Sequence, residues 1–178
     1  MSFENVIKQA TIPVDGFVLR PLQRSDAGPI SLYAADERVA RATTSIPHPL
    51  PPGSTESLIA RALAADRTED IWAIDSSDDQ SEVLGVIGLK RMDREQSEIG
   101  YWVAPLLWNN GIASKAVEAI VGANPQACRT IFGSVFQDNP ASARVLTNAG
   151  FSYIGDAEAF SVARDATVPT WTYLKKMD

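Results

Sequence analysis

The chain has 178 residues, 45% of them hydrophobic and 21% charged, which fits one globular domain over residues 1–178 with a core from about 17 to 176 and argues against disorder. Its 22 acidic against 16 basic residues leave a net charge of −6, a field that repels nucleic acid and anionic lipid. A single cysteine and a single histidine exclude an internal disulfide, a cysteine-rich zinc site and a multi-histidine metal centre, so no metal is expected.

In chain order, Met1 to Gln9 lacks the basic start and apolar middle of a secretion signal, and no apolar run approaches the roughly 20 residues of a membrane helix. A cytoplasmic location without membrane association is expected. Residues 17–22 read as a strand, and Ser25-Asp26 opens a helix carrying Ile30, Leu32, Tyr33 and Ala34. The proline-rich stretch Ile46 to Pro52 cannot be regular helix; Ser54 or Thr55 then caps a helix with Leu58, Ile59, Ala62 and Leu63 on one face. Asp70 to Asp75 and Val83 to Lys90 predict antiparallel strands joined by an acidic turn over residues 76–82. Val83 to Leu89 is apolar on both faces and belongs centrally in the sheet.

A strand is predicted over Gln96 to Val103, a helix from about Gly111 to Val121 and a strand over Thr130 to Phe136, a unit whose two strands run parallel with the ligand crevice beyond their carboxyl ends. Asn139-Pro140 supplies a cap and a first helical position, and Gly150 ends that helix. Phe151 to Gly155 and Pro169 to Leu174 complete a mixed sheet. Cys128, beside a β-like run, reads as a buried inert thiol, and core packing is the default for most of the tryptophans.

The most informative stretch runs from Glu98 to Lys115. It passes from a strand through Trp108, Asn109, Asn110 and Gly111 into a helix that begins Ile112-Ala113-Ser114. The first amides of a helix have no internal partner and the peptide dipoles put positive charge at the same end, so a phosphate is held favourably there. Alternation puts Glu98, Gly100 and Trp102 on one face and Ile99, Tyr101 and Val103 on the other, unless a bulge at Gly100 resets the register.

Five segments together resemble the GNAT acyltransferases, in particular the RimJ/RimL-type N-acetyltransferases. They are residues 17–22, Ile46 to Pro49, Glu98 to Trp102, Trp108 to Ala113, and Asn139 to Phe151. The resemblance implies an α/β (α+β) GNAT fold: a mixed, mostly antiparallel sheet of about six to seven strands, splayed between the fourth and fifth, with about four helices on both faces. It implies acetyl-CoA as co-substrate and an amine acceptor, either a protein N-terminus or a small molecule, with the region around the first helices covering the acceptor site.

Trp108 and Asn110 stand where many relatives carry basic or glutamine side chains, which leaves the pyrophosphate to backbone amides around Gly111, with Lys115 or Arg144 as charged helpers. The cofactor-binding set implied is Trp102, Val103, Trp108 to Ser114, Asn139, Ser142 and Arg144. Backbone groups of Tyr101 to Val103 would pair with the pantetheine arm. Ser142 is the candidate donor to the leaving thiolate, the alternative being a helix-start serine bonded locally. Glu98 is the candidate general base, with a raised carboxyl pKa as the attraction, the alternative being a solvated or salt-bridged glutamate; Tyr101 is a further participant.

Other chemistries find no sequence support. No Gly-x-Ser-x-Gly elbow, phosphate-loop signature or Gly-x-Gly-x-x-Gly fingerprint occurs, and His48 lies in a proline-rich loop. The leading expectation is an acetyl-CoA-dependent N-acetyltransferase, monomer or homodimer, working by direct attack of the amine. The rival is a non-catalytic acyl-CoA-binding or interaction module with the same fold. Acceptor choice is assigned to the loops Ser45 to Ser54 and Phe160 to Pro169.

Overall fold

A computed structural model describes residues 9–76 and 82–178. Eight strands form one sheet: β1 (Ile12–Val14), β2 (Phe17–Pro21), β3 (Glu69–Asp75), β4 (Val83–Met92), β5 (Gln96–Val103), β6 (Thr130–Phe136), β7 (Ser152–Ser161) and β8 (Ala166–Lys176). Their order is β1-β2-β3-β4-β5-β6-β8-β7. Among the described residues only β5 and β6 pair in parallel, with α4 (Ile112–Ala123) forming the crossover between them; β2 and β3, also joined through helices, pair antiparallel.

Five α-helices accompany the strands: α1 (Ala27–Ala34), α2 (Glu37–Ala42), α3 (Ser54–Leu63), α4 (Ile112–Ala123) and α5 (Pro140–Asn148). The fold is the one the resemblance implied, with β1 and α2 added. Both are too short to show a periodicity: β1 has 3 residues and α2 has 6. Asp36 caps α2, its carboxylate accepting the Arg38 amide at 2.9 Å.

Strand alternation sorts two apolar layers. Leu22, Ile30, Val39 and Ile59 pack with Ile71, Ala73, Val86 and Trp102 under α1 to α3. On the other face α4 and α5 bring Val117, Ile120 and Leu146 onto Trp72, Ile74, Ile87, Ile99 and Ile131. Residues 83–89 of β4 are buried throughout, as expected for a central strand. The Arg20 guanidinium ties β2 to its neighbours: it donates twice to Asp26 at 2.9 Å and once to Asp75 at 2.7 Å, all three groups buried. Removing one partner of such a buried set costs about 3–5 kcal/mol.

The splay is present between β5 and β6. Their ladder has the pairs Gln96 with Thr130, Ser97 with Ile131 and Glu98 with Phe132, and then stops although both strands continue. The bulge that Gly100 would permit does not form, and β5 pairs with β4 in unbroken register from Gln96 to Val103. The gap arises because β4 holds β5 along its whole length while β8 holds β6 from Thr130 to Phe136.

The last two strands are far longer than Phe151 to Gly155 and Pro169 to Leu174. They form one hairpin whose outer strand β7 is exposed over most of its length, so no buried face imposes an apolar alternation there. Of the acidic turn, residues 77–81 lie outside the described residues; Ser76 and Glu82 close its ends through an amide-to-carbonyl bond of 3.2 Å. No helix among the described residues is long and apolar enough to cross a membrane.

Candidate functional site

Two cavities meet at the open part of the β5–β6 gap. One, of about 520 Å³, is bounded by the loop from Leu107 to Gly111, the start of α4, the start of α5 and the α2 residues Val39 and Ala42. The other, of about 490 Å³, extends to the α1–α3 face of the sheet, between the segment Ala42 to Ile46, the β3–β5 surface and Phe160 with Thr170 of the hairpin. Ala42, Tyr101, Trp102, Asn139 and Ser142 line both.

The loop cavity is built from main chain. Gly111 caps α4 in the left-handed region at φ 75°, preceded by Asn109 at φ 66°. Glycine takes this conformation without strain, and nothing lies within 4 Å of where its Cβ would stand. The first amide in this stretch to find a backbone partner is that of Lys115, which donates to the Gly111 carbonyl at 3.0 Å. The amides of Ile112, Ala113 and Ser114 are thus left for a ligand. Trp108 turns its indole N–H back onto the Val103 carbonyl at 2.8 Å, and the Arg38 guanidinium stacks over the Trp108 ring at 5.9 Å from its centroid. Val103 therefore offers the gap its N–H only, since its carbonyl is already taken. Arg144 lines this cavity and Lys115 does not, so of the two expected charged helpers only Arg144 is placed for the role.

At the junction, Asn139 caps α5 by accepting the Ser142 amide at 3.3 Å, which fixes Ser142 one turn into the helix. The Tyr101 hydroxyl lies 2.9 Å from Ser142 Oγ and 3.1 Å from the Ser142 carbonyl. Burial pushes the Tyr101 phenol up to about 12, only partly countered by the bond to Ser142, so it is protonated at neutral pH. The single Tyr101 proton can go to the Ser142 carbonyl or to Ser142 Oγ, and in the second arrangement the serine proton is free to point into the junction.

Glu98 stands at the apex of the splay, in the last β5–β6 pair, with its side chain on the α1–α3 side and half-buried. Tyr101 faces the opposite side of the sheet, as the alternation predicted, and the two are connected only through the gap. Beside Glu98 lies a residue the sequence reading missed. Glu69 pairs with Lys90, which pairs with Glu98, so the three form one row across β3, β4 and β5. Predicting β3 to start at Asp70 left Glu69 outside the sheet. Burial pushes the Glu69 carboxyl up, Lys90 draws it down, and the Glu98 charge pushes it up again.

The far wall of this cavity is held by Arg164 at the hairpin tip. Its guanidinium meets Asp138 at 2.5 and 3.1 Å, donates to the Arg41 carbonyl at 2.8 and 3.1 Å, and stacks on Phe136 at 4.9 Å. The Val162 amide adds a bond to the Thr44 carbonyl at 3.1 Å. Both acceptor-side segments expected from the sequence touch this cavity, though residues 160–169 are the end of a hairpin and no loose loop. His48 lines neither cavity. Every expected catalytic or cofactor-binding side chain, from Glu98 and Tyr101 through residues 108–114 to Asn139, Ser142 and Arg144, lines one cavity or both.

Comparison with known proteins agrees with this architecture. Residues 17–152 match the family model described as the acetyltransferase (GNAT) domain. Over 88 residues the chain is 35% identical to a Bacillus subtilis (strain 168) protein named uncharacterized N-acetyltransferase YoaA; the match covers 47% of this chain and 49% of that one, about half of that relative's length. Among solved structures, RimL, the ribosomal L7/L12 alpha-N-protein acetyltransferase in complex with coenzyme A, superposes with a TM-score of 0.78 at 18% identity, covering 95% of this chain and 99% of that one. Spermidine N-acetyltransferase from Vibrio cholerae, in complex with CoA and spermine, superposes with a TM-score of 0.73 at 17% identity, covering 90% and 96%. With its fold matching over nearly its whole length and the family model covering residues 17–152, the chain belongs to the GNAT acetyltransferase family.

Proposed function

We propose that this protein is an N-acetyltransferase that moves the acetyl group of acetyl-CoA to an amine by direct attack. The observation that carries the reading is the meeting of the two cavities at Tyr101, Trp102, Asn139 and Ser142: one is lined by unpartnered amides, the other by carboxylates. The residues of the loop cavity suit the cofactor. The amides of residues 112–114 and Arg144 would take the diphosphate, and the gap-facing main chain of Tyr101 and the Val103 N–H would hold the extended arm. Acetyl-CoA supplies an activated acyl group as a thioester.

The chain's own groups handle the protons. Glu98 accepts one from the incoming ammonium, directly or through water, leaving a neutral nitrogen to attack the acyl carbon. As the carbon–sulfur bond breaks, Ser142 Oγ donates its proton to the departing sulfur and takes up the surplus proton of the acylated nitrogen, which leaves the thiol and a neutral amide, while Tyr101, held protonated by burial, keeps that hydroxyl oriented. The negative lining of the acceptor side attracts a cationic amine, in line with the net charge of −6.

Protein N-termini and small amines are both acceptors of neighbouring proteins, and mass spectrometry of both kinds incubated with the protein and acetyl-CoA separates them. A gain of one acetyl group with matching thiol release supports the reading. Tight CoA binding with no acetylation across the panel would instead make the chain a binding module.

A further inference from the structure

Glu69 has no role in the chemistry just described, yet its surroundings are built around it. It shares a row with Lys90 and Glu98, and inter-strand spacing puts the Glu69 and Glu98 Cα atoms about 10 Å apart. The next row reads Ile71, Gly88, Gly100, so the floor between the two carboxylates, beside Lys90 and Glu98, is bare backbone. The space over Gly88 is used: Glu69 Oε1 lies 3.2 Å from where a Gly88 Cβ would stand, which bends the carboxylate inward over the cavity floor. Among the described residues neither Glu69 nor Glu98 has a salt-bridge partner, although Lys90 stands between them and Arg61 lies near Glu69. Both line the same cavity, with Phe160 on its far side.

One carboxylate suffices to take a proton from an attacking amine. A second, half-buried and only partly compensated by Lys90, costs free energy in the empty protein, and a cation brought by the substrate offsets that cost. We propose that Glu69 is a specificity-determining residue of the acceptor cavity, selecting amines that carry a second cationic group within about two inter-strand spacings of the nitrogen that is acetylated. The proposal rests on the acetyltransferase reading for the identity of the cavity, and extends it to the acceptor's charge. Lys90 acts against Glu69 in this scheme, setting the strength of the preference by partial neutralisation.

The test compares cadaverine with pentylamine, which have the same carbon chain and differ by one ammonium group. Each is titrated calorimetrically into the CoA-saturated protein, which needs no turnover, and each is also assayed by thiol release from acetyl-CoA. The protein should bind cadaverine at least tenfold more tightly than pentylamine. Glu69→Gln should reduce that ratio to within about threefold, and Glu69→Asp should leave it intermediate. Lys90→Gln should increase it, a change that a merely structural role for Glu69 does not produce.

Equal binding of the two amines by the unaltered protein, or a preference that survives Glu69→Gln, overturns the proposal. Should Glu69→Gln not fold, the Glu69→Asp and Lys90→Gln ratios decide it, since both keep a carboxylate at position 69. Absence of thiol release with both amines, with the binding preference intact, counts against the acetyltransferase reading alone.

Discussion

The two cavities that meet at the β5–β6 gap are made in different ways. The loop cavity comes mostly from two short stretches, residues 107–114 and the first turn of α5, and its working groups are backbone amides presented by Gly111. The acceptor cavity is assembled from side chains of β3, β4, β5, the segment after α2 and the hairpin tip, over a hundred residues of separation. A site of amides tolerates side-chain drift and fixes one ligand chemistry. A site of dispersed side chains lets acceptor preference change without disturbing the cofactor. Perturbations should therefore separate the two halves.

The largest effect is expected on the loop side. Gly111→Glu places a side chain at φ 75° and a negative charge at the amide cluster. The strain alone is about 1–2 kcal/mol, and with charge repulsion CoA affinity should fall about a hundredfold or more. Unchanged affinity of the folded variant in a titration would remove the diphosphate from this loop.

Next comes Glu98→Gln, which should lower kcat/KM about a hundredfold or more while leaving CoA affinity within about twofold. Steady-state rates and a CoA titration on the same preparation check both halves of that statement. An equal loss of CoA binding would mean that Glu98 serves both cavities and that the separation is wrong.

Ser142→Ala sits on the boundary and should reduce kcat about ten- to a hundredfold. Its neighbour offers a pH test. Because the Tyr101 pKa is raised from 10.0 to about 12, the folded state favours the protonated phenol. Its contribution to stability is therefore complete below pH 10 and lost as pH rises towards about 12. Tyr101→Phe should lack that alkaline loss when chemical denaturation is followed across the range, and an identical slope in both proteins would show that the hydroxyl is not buried as described.

The smallest effect is expected at the clasp. Arg164→Ala removes the bonds that tie the hairpin to Arg41 and Asp138, and should destabilise the fold by about 1–2 kcal/mol and raise acceptor KM a few-fold with CoA affinity unchanged. Pairing with Arg164 lowers the Asp138 carboxyl, so its stabilisation is present above the ordinary value of 3.8 and disappears as pH falls through the lowered one. Acid titration of folding should be flatter for Arg164→Ala, and a parallel curve would mean that the pair contributes nothing.

What was readable along the chain follows the same division. β5, β6, α4 and α5 came out at or near their observed limits, because each carries an alternation, a helical face or a cap within a few residues, and the contiguous loop between β5 and α4 came with them. Gly100 left two readings open along the chain, continued alternation or a bulge; it keeps register and clears the cavity floor. Glu69 and Arg164 were invisible, one at a strand end misplaced by one residue, the other at the tip of an exposed hairpin with no apolar pattern.

The order of residues by itself determined the parallel β5–α4–β6 unit, the glycine-capped helix start and the Asn139 cap that positions Ser142. The two caps depend on interactions within one or two helical turns, which local spacing encodes, and the parallel unit on the strand–helix–strand order of its segments. Only the tertiary structure decided that β5 and β6 part after Glu98, that Glu69, Lys90 and Glu98 stand in one row, and that Arg164 pins the hairpin over the cavity. Those facts depend on which strands pair and in what register, a matter settled by packing of the whole sheet against both layers of helices.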